Sequence, residues 1–414
     1  MASERQEAEA LDEIAAPPPD QKPDGNELFR HESLESERRR ENLKIRPKRR
    51  HRLHAPLNRG TLARLGIVAL TTYPGAPNAH PILWANVGGS LFIGFLQEDR
   101  LLFRRHWKRA LHGAQKQAQE KVGRSDGSEE GRTEDEVRDI QEQAQQLFGA
   151  SKVTLHIYIG VAVGFCGSFT SFADVIRDAF LAVSNDFDTA RISTLVTENI
   201  AKTRPAGYSV LAVIGIVWLQ VAMSTAALQL GAHIATGVQR FTERLPEFEY
   251  EFEEVMDKMV VVLGWGAWLG AVMLAVWPPY EAWRGQAVFA IVFAPLGCLL
   301  RFYLALFLNR RAKSFPVGTF VANVFGTCVL RMVLDLQQSR LGGVIGCQIL
   351  QGVGDGFCGA LTTVSTFILE LKALRLVHSY VYATASVGVS FAFMVAIMGS
   401  LRWTGGFLGP LCVA

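Results

Sequence analysis

The stretch Gly164-Phe-Cys-Gly-Ser-Phe-Thr-Ser171 returns 192 residues later as Gly356-Phe-Cys-Gly-Ala-Leu-Thr-Thr363. Two shorter matches share a second spacing. Gly60-Thr-Leu-Ala-Arg64 corresponds to Gly297-Cys-Leu-Leu-Arg301, and Ala85-Asn86-Val87-Gly88-Gly89 to Ala322-Asn323-Val324-Phe325-Gly326, both 237 residues on. The charged stretch 97–152 absorbs the 45-residue change in spacing, so three motifs recur in one order. Ordered matches at long period mark a duplicated structural unit. Each copy lies in sequence far more apolar than a globular core needs.

Apolar residues make up 49% of the 414-residue chain and charged residues only 20%, with most of the charge confined to 1–59 and 97–152. Uncharged runs of about 20 residues match the thickness of a bilayer. The expected fold class is therefore an all-α polytopic membrane protein with nine spans. These lie near 60–73, 80–96, 153–182, 208–235, 259–277, 286–309, 315–335, 342–369 and 376–400. The fifth is the cleanest, nineteen uncharged residues from Met259 to Trp277. The first is short for a span. A secreted disulfide domain and an ordinary cytosolic enzyme are excluded, and a net charge of +3 is too small to imply nucleic acid. The six cysteines (Cys166, Cys298, Cys328, Cys347, Cys358, Cys412) sit in apolar sequence without metal-ligand spacing and read as small buried hydrophobes.

Basic residues set the direction of the spans. Arg38 to Arg59 carries ten Lys/Arg against one acid, which holds the N-terminus in the cytoplasm. Arg100, Arg104, Arg105, Lys108 and Arg109 follow span two, Arg310, Arg311 and Lys313 follow span six, and Lys372 and Arg375 follow span eight. All three loops are inside if nine spans are counted. Four spans per unit would leave both units pointing the same way. The fifth helix reverses the second, giving two inverted repeats. The domain plan is a disordered tail 1–59 and a first repeat 60–235 carrying a solvated, charged insertion 97–152. An acidic linker with its helix follows over 236–285, then a second repeat over 286–414.

On these motifs the chain resembles the fluoride channel and exporter family (CrcB-like), in its fused eukaryotic form. The most specific piece is Gly356-Phe-Cys-Gly-Ala-Leu-Thr-Thr-Val-Ser-Thr-Phe367, which is similar to the family's third-helix signature. The resemblance implies that Phe172 and Phe367 line an ion path together with Thr363 and Ser365. It implies a hydroxyl track along Tyr382, Ser386 and Ser390. It also implies a structural sodium ion held by the backbone carbonyls of Gly167, Thr170, Gly359 and Thr362, with no organic cofactor.

The chemistry of the residues fits a small anion. Fluoride surrenders strong hydration on entering a pore, and polarised hydrogens must replace the water. The amides of Asn86 and Asn323 each offer two donors, with a helix-to-helix amide bond as the other reading. Phenylalanine presents an electropositive ring edge. Arg64 and Arg301 are charges within apolar helices, and either snorkel to an interface or attract anions at a vestibule.

The expected function is a passive fluoride channel that exports the ion from the cytoplasm across the plasma membrane. It would act as a monomer, an internal pseudo-dimer, with fluoride and the lipid bilayer as its partners. A proton-coupled exporter would use Asp174, Asp178 or Glu370, and a non-conducting scaffold would use the insertion. Within the resemblance, each of two paths draws one aromatic from each repeat. The first positions are Phe172 and Val364, the second Val175 and Phe367. One path keeps both rings and the other has only valines, so a single path is expected to conduct.

Overall fold

The helices follow from the apolar runs, and two of them are interrupted where the motifs lie. The computed structural model describes residues 54–73, 80–99, 107–108, 110–115, 140, 143–144, 156–184, 206–242, 253–280, 283–312, 314–338 and 343–404. No strand occurs among them. The tail before residue 54 lies outside the described residues, as do the loops 74–79 and 185–205 and most of the insertion.

In chain order the first half contains α1 (His54–Thr71), α2 (Ile82–Glu98), α3 (His156–Ile159), a π-helical turn π1 (Gly160–Cys166), α4 (Gly167–Phe169), α5 (Phe172–Ser184) and α6 (Ala206–Thr242). Next comes α7 (Glu253–Val276). The second half contains π2 (Arg284–Val288), α8 (Phe289–Leu308), α9 (Val317–Gln338), α10 (Gly343–Gly352), π3 (Val353–Cys358), α11 (Gly359–Leu361), α12 (Ser365–Ala373) and α13 (Leu376–Thr404). The chain is thus an all-α, multi-pass membrane protein. Five segments are long and apolar enough to cross a bilayer, namely Gly207–Val238, Arg284–Leu308, Val317–Gln337, Gly343–Ala373 and Leu376–Gly399. The linker helix holds a shorter apolar run, Val262–Val276.

Packing crosses between the halves. Helix α5 lies against α9 and α13, and α12 lies against α2 and α6. Helix α7 packs on α1 and α8, joining the halves at their edge. Its side chains are largely exposed, among them Val262, Leu269 and Met273, as suits a lipid-facing helix. The main apolar cluster runs through both halves, from Ile93 and Phe180 to Phe367 and Met394.

Two expectations need amendment. The insertion is not solvated throughout, because Ala114, Ile140 and Ala144 are buried against Trp107 and Leu111. Cys166, Cys298, Cys328 and Cys358 are free thiols, but Cys347 is disulfide-bonded.

Candidate functional site

Both third-helix motifs break at a threonine. Thr170 and Thr362 leave the helical conformation for extended backbone, with ψ of 150° and 151°. The chain resumes as α5 and α12, whose first N–H groups need acceptors. A local side chain normally supplies them. Here Ser171 Oγ accepts from the N–H of Asp174 at 3.3 Å and Thr363 Oγ1 from that of Thr366 at 3.5 Å. The threonine of the opposite half takes the N–H groups before them. Thr170 Oγ1 accepts from the N–H of Val364 and of Ser365, both at 3.2 Å. Thr362 Oγ1 accepts from the N–H of Ala173 at 3.2 Å. Ala173 and Ser365 are matched by the 192 offset, so the two caps correspond. Thr170 Oγ1 also lies 3.1 Å from Thr363 Oγ1 and 3.2 Å from Ser365 Oγ.

The asparagines fix the other side of each break. Asn86 Oδ1 accepts from the N–H of Ser171 at 2.9 Å while its Nδ2 donates to Ser171 O at 3.3 Å. Asn323 makes the same pair with Thr363, at 2.9 and 3.3 Å. Each amide therefore commits one N–H to the backbone and keeps one in hand. The interhelical reading is realised without exhausting the donors. Aspartate at either position would still accept the backbone N–H but would place a carboxylate against a carbonyl. Asn86→Asp and Asn323→Asp are expected to lose about 1–3 kcal/mol of stability, read by thermal unfolding in detergent.

Arg64 and Arg301 neither snorkel nor line a vestibule. They are 2% and 3% exposed, and their guanidinium groups bond main-chain oxygens. Arg301 Nη1 donates to Gly167 O at 2.6 Å and Nη2 to Val163 O at 2.7 Å, with Thr362 O at 3.5 Å from Nη1. Arg64 Nη1 donates to Ser168 O at 3.1 Å, and its Nη2 donates to Asp355 O. Val163 and Asp355 are matched positions, each inside a π-helical turn, where the looser ladder turns a carbonyl outward. A Cβ added at Gly167 would overlap the Arg301 guanidinium, and one at Gly359 would overlap that of Arg64. These glycines are spaces for a cation from the opposite half.

Phe172 and Phe367 meet edge to face, with ring centroids 5.5 Å apart. Together with Gln220 they line a cavity of about 10 Å³, about what a single water requires. Val175 and Val364 stand on the wall of the same cavity. The rings and the valines, assigned to separate paths from the sequence, converge here.

Beyond Phe367 lies Tyr382, 5.2 Å between centroids, whose hydroxyl donates to Glu370 Oε2 at 2.8 Å. Thr319 donates to Glu370 Oε1 at 2.6 Å and Asn309 Nδ2 approaches the same oxygen at 3.4 Å. Ser386 and Ser390 are buried on the same face of α13, their hydroxyls without partners. The matched carboxylate, Asp178, lies 3.7 Å from His80 and beside Arg177, which also pairs with Asp174 at 2.8 Å. Asn309 and Thr319 were not among the candidates. Only the amide at the end of span six could have drawn notice.

These elements define a membrane protein whose centre is two broken helices, each completed by residues from the other half. Residues 288–400 match the family model described as CrcB-like protein, Camphor Resistance (CrcB). The chain is 46% identical over 371 residues to Fluoride export protein 1 of Neurospora crassa, covering 86% of this chain and 66% of that protein's length. It is 30% identical over 357 residues to Fluoride export protein 1 of Candida albicans, covering 84% and 78%. It is 32% identical over 119 residues to Fluoride-specific ion channel FluC of Geotalea uraniireducens, covering 28% and 91%. No solved structure matches it. The chain belongs to the CrcB-like family of fluoride export proteins.

Proposed function

We propose that the chain is a passive, fluoride-selective channel that carries fluoride out of the cytoplasm through one intact path. The observation that carries this reading is the pair of ring edges, Phe172 and Phe367, on a cavity of water size. A fluoride ion is close to a water molecule in size, and ring edges attract an anion without holding it tightly. The spare N–H groups of Asn86 and Asn323 and the hydroxyls of Thr363, Ser386 and Ser390 supply polarised hydrogens along the way, while the Ser365 hydroxyl donates to Cys166 O.

In this reading the nine helical segments are spans. Residues 60–235 and 286–414 are inverted repeats, and the linker helix reverses the second. The N-terminus faces the cytoplasm of a plasma-membrane protein that works as a monomer. Thr170 and Thr362, Asn86 and Asn323, and Arg64 and Arg301 each make corresponding contacts in their own half's motif or the opposite one, which supports the pairing of repeats. A structural sodium ion would be held by the carbonyls of Gly167, Thr170, Gly359 and Thr362. Neutral carbonyl oxygens suit a hard cation, which would take the second lone pair of Gly167 O and Thr362 O, since Nη1 of Arg301 uses the first. Bound there, the ion would share with that guanidinium the task of neutralising carbonyls freed by the breaks.

Flux from liposomes containing the purified full chain tests the reading. Fluoride efflux should follow the membrane potential set by a potassium gradient and ignore an imposed pH gradient. Efflux that tracked the pH gradient would favour proton coupling, for which Glu370 is the obvious group. No fluoride efflux at all would make the chain a scaffold.

A further inference from the structure

Helix α9 contains a third buried guanidinium, which none of the central contacts uses. Arg331 is 0% exposed. Its Nε, Nη1 and Nη2 have no hydrogen-bond partner, and the same holds for Oδ1 of Asp335 one turn further on. The guanidinium carbon lies 5.1 Å from the ring centroid of Phe180, on α5. Burying a charge with its donors unfilled is costly, and the stacked ring meets only part of that cost.

The position of Arg331 along the helices gives it a use. Glu370 bonds both Thr319 of α9 and Tyr382 of α13, which sets those two residues at one level. Arg331 and Met394 each lie twelve residues on, about 18 Å further along their helices. Phe180, Met394 and Met398 belong to one apolar cluster with Phe172, Phe367 and Tyr382. The buried face of α13 that passes Tyr382, Ser386 and Ser390 therefore leads towards Arg331.

The first half has the same arrangement with the opposite content. Asp178 shares a cavity with Ile82 of α2 and Ile216 of α6, as Glu370 joins Thr319 and Tyr382. Twelve residues on from these are Gly94 and Leu228. A Cβ at Gly94 would overlap the backbone of Leu228, and one at Gly231 would overlap that of Leu91. Helices α2 and α6 are thus closed backbone to backbone at the position that corresponds, in the inverted repeat, to Arg331 of α9.

We propose that Arg331 is an anion-binding site at the far end of the α9–α13 seam, donating to a fluoride ion as it leaves the path. On the orientation proposed above this end is the outer one. The ligand is a small, strongly hydrated anion, because charge-assisted N–H donors replace water best for such an ion. The site rests on the fluoride-channel reading, and the alternative is an arginine that only neutralises Asp335.

Fluoride efflux from liposomes, with the full chain and a fixed membrane potential, separates these. Arg331→Met is expected to slow efflux about tenfold or more. Arg331→Lys keeps the charge and should retain about a third or more of the rate. The double variant R331M/D335N should stay as slow as R331M. Wild-type flux in R331M, restored flux in the double variant, or a lysine variant as slow as methionine would each overturn the site. Should R331M not purify as a monodisperse protein, Arg331→Gln is read against R331K in the same assay, with the same expected loss. A silent wild-type chain would instead overturn the channel reading, and the site with it.

Discussion

Phe172→Ile or Phe367→Ile, each alone, is expected to abolish fluoride resistance in cells that lack their own exporter. Isoleucine keeps most of the volume and removes the ring edge. The two rings touch at 5.5 Å and bound one water-sized cavity, so the loss of either leaves the ion without a favourable neighbour on that side. The complementary change is at Val175 and Val364. From sequence alone, isoleucine at either valine should be nearly silent. Because both valines stand on the same cavity wall, an added methylene would partly fill a space of about 10 Å³. Alanine is therefore the cleaner test, and V175A and V364A should stay within about threefold of wild-type flux. Valine variants as damaging as the phenylalanine variants would end the one-path reading.

Gly167→Ala and Arg301→Met are expected to cost about 3 kcal/mol or more each, and the two together little more than either. The alanine Cβ displaces the guanidinium from Gly167 O and Val163 O, and the methionine removes it. Both therefore break one interaction, and a double-mutant cycle by thermal unfolding should return a coupling about as large as a single effect. Arg301→Lys should recover only part of the loss, because one ammonium cannot copy two N–H groups fixed in a fork. Gly359→Ala with Arg64→Met should repeat the pattern. Additive losses in either pair would show that the glycines serve helix packing alone.

The recurring motifs made the duplicated pattern readable in the sequence. Gly, Phe, Asn, Thr and Arg recur at 192 and 237 residues, and the corresponding contacts of Asn86 and Asn323 follow that spacing. What the motifs could not reveal was the acceptors. Arg64 and Arg301 bond main-chain oxygens in the π-helical turns and at the breaks that follow them, and every residue has such an oxygen. No side-chain pattern marks Val163 or Asp355 as the ones turned outward. The same limit applies to Thr170 and Thr362, legible as break points but not as caps on the other half. Nor could spacing tell that Val175 and Val364 share a wall with Phe172 and Phe367, since four helices must first converge. Asn309 and Thr319 were missed because their partner Glu370 is distant in sequence and near only after folding.

The capping of each half by the other also constrains how the chain can be made. The guanidinium that satisfies Gly167 O lies 134 residues downstream. At ordinary rates of synthesis that separation is on the order of ten seconds. Throughout that interval the second-half partners of Val163 O, Gly167 O and the Ala173 N–H are missing, and only the Asp174 N–H has its local acceptor, Ser171 Oγ. Unsatisfied groups of this kind cost several kcal/mol each in hydrocarbon. The emerging first half would therefore be held at the insertion machinery, or shielded by water, until Arg301 and Thr362 have left the ribosome. A message truncated after α7 would yield helices with nothing to close them, and quality control would see that product as unfinished even though most of its spans are intact.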